Sequence, residues 1–217
     1  MFGHPVAGPQ HVVAGGRLRP GIFRALGDRI GGAKAAIDSV LKSHAPYPAF
    51  AVNRRWNIVL SNAALPQLYE GCSGELLRKP VNAMRLILHP EGMGPRILNF
   101  AAWRAHTISL LRQQLAARVD PVIKALLTEI AGYPVPPGSE PLENFGAAQR
   151  LATPLHLSTR FGVVSFLNTL TVFGTPNDVT LSELALEMLF PADDKTIEIV
   201  KDMLRESNAP AGMKVAG

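Results

Sequence analysis

The chain has 217 residues, 47% of them hydrophobic, 18% charged and 6% aromatic, enough for one sizeable core and too apolar for a charged disordered polymer. Its net charge of +5 and isoelectric point of about 9.7 suggest nucleic acid or another anionic partner. The distribution weakens that reading. Residues 1–36 hold Arg17, Arg19, Arg24, Arg29 and Lys34 against Asp28, a net of +4, which leaves 17 basic and 16 acidic groups for the rest of the chain.

Residues 1–31 carry scattered Gly and Pro and no helical or strand period, and are read as an irregular basic arm. Ala36, Ile37, Val40 and Leu41 then recur at helical spacing, and Pro46 stops that helix after His44. Phe50, Val52, Trp56, Ile58 and Leu60 fall on one parity, broken only at the turn by Arg54, which predicts a hairpin with one face on a core. Asn62 is expected to cap a short helix bearing Leu65, Leu68 and Tyr69. Val81 to Leu88 form another short helix, ended by His89-Pro90. Gly94-Pro95 open a long one running to about Val119. Asp120-Pro121 begin the next, which Gly132 ends. Residues 132–141, GYPVPPGSEP, read as a stiff loop. Strands are predicted at 151–159 and, more strongly, at 163–173. Residues 179–190 carry both a capping-box pattern at Thr180-Leu-Ser-Glu183 and a strand-like alternation of Leu184, Leu186, Met188 and Phe190. Strand is the reading adopted. Asp193 caps a last helix with Ile197, Val200 and Leu204, and residues 207–217 read as a flexible tail.

Cys72 is the single cysteine, so no intramolecular disulfide forms and a reducing cytoplasm is the expected setting. The start MFGHPVAGPQHVVAGG has no positive-then-apolar order, and no run of about eighteen apolar residues exists to span a membrane. Catalytic patterns are missing: no Walker A loop, no G-x-G-x-x-G, and Gly71-Cys72-Ser73-Gly74 has the wrong spacing for a nucleophile elbow. The six histidines are scattered and no cysteine pair offers a zinc site. A binding protein, without cofactor or metal, is therefore expected rather than an enzyme.

Polar groups set into apolar faces are more informative. On the long helix Ile97, Ala101, Ile108, Leu111 and Leu115 fall within an arc of about 80° at roughly 100° per residue, and Arg104 projects into it. On the short helix Val81, Met84 and Leu88 share a face with Arg85. In the strand, Val164, Phe166, Leu170 and Val172 share one with Asn168. An inward arginine requires an anion. One reading is an internal ion pair with Glu183 or Glu187, or a side chain bending out to water. The other is an apolar pocket whose arginines hold the carboxylate of an acyl ligand. Trp103 is a core or pocket residue. His106 falls on the polar side of its helix and is expected to be solvated.

Three extended stretches, PYPAFAVNRRWNIVLSNAA (46–64), PVNAMRLILHPEGMGPRILNFAAWRAH (80–106) and FGTPNDVTLSELALEMLFPAD (173–193), resemble the MmyB-like ligand-binding domain, the C-terminal half of one branch of Xre-type bacterial transcription regulators. The resemblance runs from about Lys34 to Glu206. It implies an α+β, PAS-like domain over residues 32–206, an antiparallel sheet with helices packed on it and an apolar cavity. It also implies a sensor of a small molecule, plausibly a fatty acid or acyl compound. It supports a strand over 184–190. Asn82, Arg85, Trp103 and Arg104 lie in the matching stretches, and with Met84, Leu88, Phe166 and Asn168 they are the expected pocket residues. Members of the family begin with a helix-turn-helix domain. Only about 30 residues precede the match here, so the DNA-binding half is expected to be missing or separate. Two rival readings remain: direct DNA contact through the basic arm, and a small hydrolase joining Cys72 to a distant histidine. A homodimer is an option that no heptad seam supports.

Overall fold

The structure is a computed structural model that describes residues 32, 34–139, 153–172 and 184–208. The basic arm 1–31, the capping-box residues 180–183 and the end of the tail lie outside the described residues.

Helix α1 (34–43) comes first, followed by strands β1 (Ala49–Asn53) and β2 (Ile58–Ser61). A 3-10 turn (Leu65–Tyr69), helix α2 (Ala83–Leu88), a second 3-10 turn (Gly94–Arg96), and helices α3 (Phe100–Ala117) and α4 (Pro121–Ala131) follow. The chain then forms β3 (Leu155–Thr159), β4 (Gly162–Val172), β5 (Leu184–Pro191) and helix α5 (Asp194–Asn208). The five strands make one antiparallel sheet in the order β2-β1-β5-β4-β3. This is the α+β, PAS-like arrangement the resemblance implied, with the helical middle of the chain inserted between the two halves of the sheet.

Both faces of the β1–β5 pair are covered. Ile37 and Leu41 of α1 pack on Ala49, Ala51 and Leu186 on one face. Phe50, Val52, Leu155, Val164, Phe166 and Leu189 look the other way, into the main core with α2, α3 and α4. The hairpin parity predicted from sequence fails at one point. A bulge between Ala51 and Val52 shifts the register, so Leu60 pairs with Ala51 and packs on the α1 side while Ile58 stays opposite Val52.

The turn between β1 and β2 is built by Asn53, whose Oδ1 accepts from Arg55 N (3.0 Å) and Asn57 N (3.1 Å). It places Trp56 at φ 62°, a left-handed conformation that bulky residues rarely adopt. Burial of the ring and a 2.8 Å bond from its Nε1 to Gln114 Oε1 on α3 hold it there.

Two cap assignments hold and one does not. Asp120 Oδ1 accepts from Val122 N (2.8 Å) and Asp193 Oδ1 from Thr196 N (2.7 Å). Asn62, by contrast, caps nothing. It is buried, accepts from Ala49 N (3.2 Å), and donates to the carbonyls of Leu41 (3.0 Å) and Tyr47 (2.8 Å), tying α1 to the sheet. The long helix also starts later than predicted. After the Gly94–Arg96 turn, Ile97 forms an isolated bridge with Leu157 before α3 begins. Gly92 and Gly94 sit so close to the carbonyls of Leu86, Leu88 and His89 that a Cβ at either would collide with them. That close approach folds the chain back across the end of α2.

Candidate functional site

Between the inner face of the sheet and helices α2 and α3 lies a cavity of about 70 Å³ that opens to solvent at its mouth. The sheet contributes Phe50, Ile58, Leu155 and Leu189. The first 3-10 turn adds Leu65 and Leu68, and α2 adds Ala83, Met84, Leu86 and Ile87. Helix α3 presents Trp103, His106, Thr107 and Leu110, residues that recur at spacings of three and four and so form one stripe along the helix. The wall is almost wholly apolar and is set on regular elements on both sides, the usual setting of a small-molecule site.

A few polar groups interrupt it. Glu187 of β5 is 5% exposed and lines the cavity. Burial pushes its carboxyl up to about 7, against a weaker opposing effect of its hydrogen bond with Asn168. Asn168 of β4, opposite Leu189, also lines the cavity, and its Oδ1 is buried without a partner among the described residues. The same is true of Trp103 Nε1. Thr107 turns its hydroxyl back to the Trp103 carbonyl (3.0 Å). Burial holds the imidazole of His106 below its ordinary value and raises the Tyr69 phenol to about 12. Among the described residues, no arginine and no lysine lines the cavity.

Of the eight residues expected at a pocket, Met84, Trp103 and Asn168 meet in this cavity. Leu88 and Phe166 are buried in the adjoining core, 1% and 0% exposed. Asn82 caps α2, its Oδ1 accepting from Arg85 N (3.2 Å) while its Nδ2 donates to the Arg55 carbonyl (2.8 Å) and Asn57 Oδ1 (3.1 Å). Arg85 points outward. Its Nε lies 2.8 Å from Glu129 Oε1 and its Nη2 2.7 Å from Oε2, a two-pronged pair to which Tyr133 adds a 2.5 Å hydroxyl bond. This is the ion-pair reading of the inward arginine, with Glu129 of α4 as the anion in place of Glu183 or Glu187. Arg104 donates through Nη2 to the carbonyl of Ala131 at the end of α4, where a cation is favoured. Neither arginine lines the cavity. Because the Arg85–Glu129 pair is part-exposed, Arg85→Leu is expected to cost less than about 1 kcal/mol in a melting experiment and to leave ligand affinity within about two-fold. A much larger affinity loss would put Arg85 back among the ligand contacts.

Helix α3 explains why His106 was misplaced by the sequence. The arc through Arg104, Ile108 and Leu111 faces α4, as the Arg104–Ala131 contact shows. The face carrying His106, apparently polar, is the one turned to the cavity, and the ring there is half-buried rather than solvated. Glu187 was considered only as an arginine partner, and its place in the cavity follows from the β4–β5 register, which sets it opposite Leu170 on the inner face. Among the described residues, no group of three His, Cys, Asp or Glu is placed to hold a metal ion, and no helix is long and apolar enough to cross a membrane.

No curated protein matches the chain. Residues 33–202, which contain every strand, every cavity-lining residue and most of α5, match the model of the MmyB-like transcription regulator ligand binding domain. With an apolar cavity enclosed by a helix-packed antiparallel sheet and a match over most of its length, the chain belongs to the family of MmyB-like transcription regulator ligand-binding domains.

Proposed function

We propose that this domain senses a largely apolar small molecule with an extended hydrocarbon portion, such as an acyl or alkyl chain, and that occupancy is read out by a transcription regulator. Family membership supports the ligand-sensing role. The observation that carries the chemical class is the cavity wall of Phe50, Ile58, Met84, Ile87, Leu110 and Leu189, which offers hydrocarbon contact on both the sheet and helix sides. The sensing unit is taken as residues 32–206, with the basic arm 1–31 ahead of it. Chemistry on the ligand is not part of the reading: the polar side chains in the cavity are too few and too dispersed to be assigned nucleophile, base and oxyanion roles together.

A titration with straight-chain alcohols of increasing length tests this. Each buried methylene contributes about 0.8 kcal/mol, so the dissociation constant should fall roughly four-fold per carbon until the cavity is full and then level off. An affinity independent of chain length would contradict the reading.

A further inference from the structure

Two side chains of the cavity lining carry hydrogen-bonding capacity that is unused among the described residues, and they constrain the ligand. Trp103 is 4% exposed and lines the cavity, yet its Nε1–H has no acceptor among the described residues. An indole N–H can only donate. Asn168 lines the same cavity, and its Oδ1 has no donor among the described residues. That oxygen can only accept, since the amide's remaining hydrogens are on Nδ2. Buried polar groups are left unpaired in few native structures, and each costs the protein the hydrogen bond it gave up to water. One unused donor and one unused acceptor on the wall of a cavity are what a ligand group with the opposite pair of functions would satisfy.

The charge of that group is constrained as well. Glu187 is buried in the same cavity beside Asn168, no arginine or lysine among the described residues lines it, and Arg85 and Arg104 are turned to α4. Among the described residues the basic side chain in the wall is His106, whose charged form burial disfavours. A carboxylate head would therefore enter an apolar space with no counter-charge and with a carboxyl group already present.

We propose that the ligand's polar end is an uncharged group that both accepts and donates a hydrogen bond, a hydroxyl or a primary carboxamide, satisfied by Trp103 Nε1 and Asn168 Oδ1, and that the cavity selects such molecules against the corresponding carboxylates. This rests on the reading of the domain as a sensor of a hydrocarbon-bearing molecule, and it narrows the head group of that molecule.

The experiment compares 1-decanol, decanamide and decanoate, each below its aggregation limit, by calorimetric titration of the full chain at pH 8, where decanoate is ionised. The alcohol and the amide are expected to bind at least about ten-fold more tightly than decanoate. Trp103→Phe keeps an aromatic ring and removes the donor, and it should weaken decanol and decanamide by about five- to ten-fold. Glu187→Gln should narrow the discrimination against decanoate. Because selectivity is read first in the unaltered protein, it does not depend on either variant folding. Decanoate binding as tightly as the two neutral probes would overturn the head-group inference while leaving the hydrocarbon-sensor reading in place. If the neutral probes bind equally well to wild type and a folded Trp103→Phe, the Trp103 assignment fails. If none of the three binds below about 1 mM, both the inference and the reading beneath it fail.

Discussion

Glu187→Gln is expected to raise the melting temperature by roughly 5–10 °C at pH 8 and to change it little at pH 4.5. Glu187 is 5% exposed and its folded-state value lies near 7, above the ordinary value of 4.5, because burial disfavours the charged form. A carboxyl raised in this way is protonated in the folded chain at pH values where the unfolded chain has already lost its proton. The contribution of Glu187 to stability is therefore greatest at and below about pH 4.5, declines as pH rises towards 7, and above that the ionised, buried group leaves the fold about 2–3 kcal/mol weaker. Glutamine resembles the protonated form and does not titrate, so it removes the decline. The temperature range follows from the usual ratio of a few degrees per kcal/mol for a chain of this size. Melting curves of both proteins across pH 4.5–8 check it. Two parallel curves would mean that Glu187 is solvated or has a charged partner in solution.

Leu110→Trp should abolish ligand retention, with an affinity loss above about a hundred-fold, while costing no more than about 1–3 kcal/mol of stability. Leu110 is half-buried on the α3 stripe that lines the cavity, so the larger indole has access to the empty volume before it needs to displace the core. Since the cavity is already narrow, a bicyclic side chain would occupy the path of a hydrocarbon chain. Calorimetry with 1-decanol, together with a melting curve to verify folding, measures both effects. A folded Leu110→Trp protein that binds decanol normally would place the ligand elsewhere.

The sequence made the fold legible wherever the local pattern and the tertiary packing asked for the same residue. Asp120 and Asp193 cap helices as short polar residues do in any context, and the strand adopted over 184–190, which alternation left open and the resemblance supported, is β5. It failed where a residue answers to a distant partner. Asn62 has the composition of a cap, but three backbone groups from α1 and the hairpin claim it instead. The one-residue bulge at Ala51 is invisible to a parity count, and it sends Leu60 to the opposite face.

For the site the divide is similar. Asn168 was recognisable as a polar residue set into an apolar face, Met84 as part of such a face and Trp103 as a core or pocket aromatic, and all three line the cavity. Arg85 and Arg104 gave the same signal for another reason, since an arc of α3 and a face of α2 turn towards α4, and its Glu129 and Ala131 supply their partners. Periodicity reports that a face is covered, but not by what. Glu187 and His106 enter the site only once strand register and helix rotation are known.

The central claim, that this domain holds an apolar small molecule in the cavity bounded by Trp103, Leu110 and Glu187, is tested most directly by native mass spectrometry of the full chain purified without added ligand. One small molecule per chain should be retained, released by organic extraction and absent from Leu110→Trp. Contradiction would be a protein of bare chain mass that, offered alkyl alcohols, still gains none.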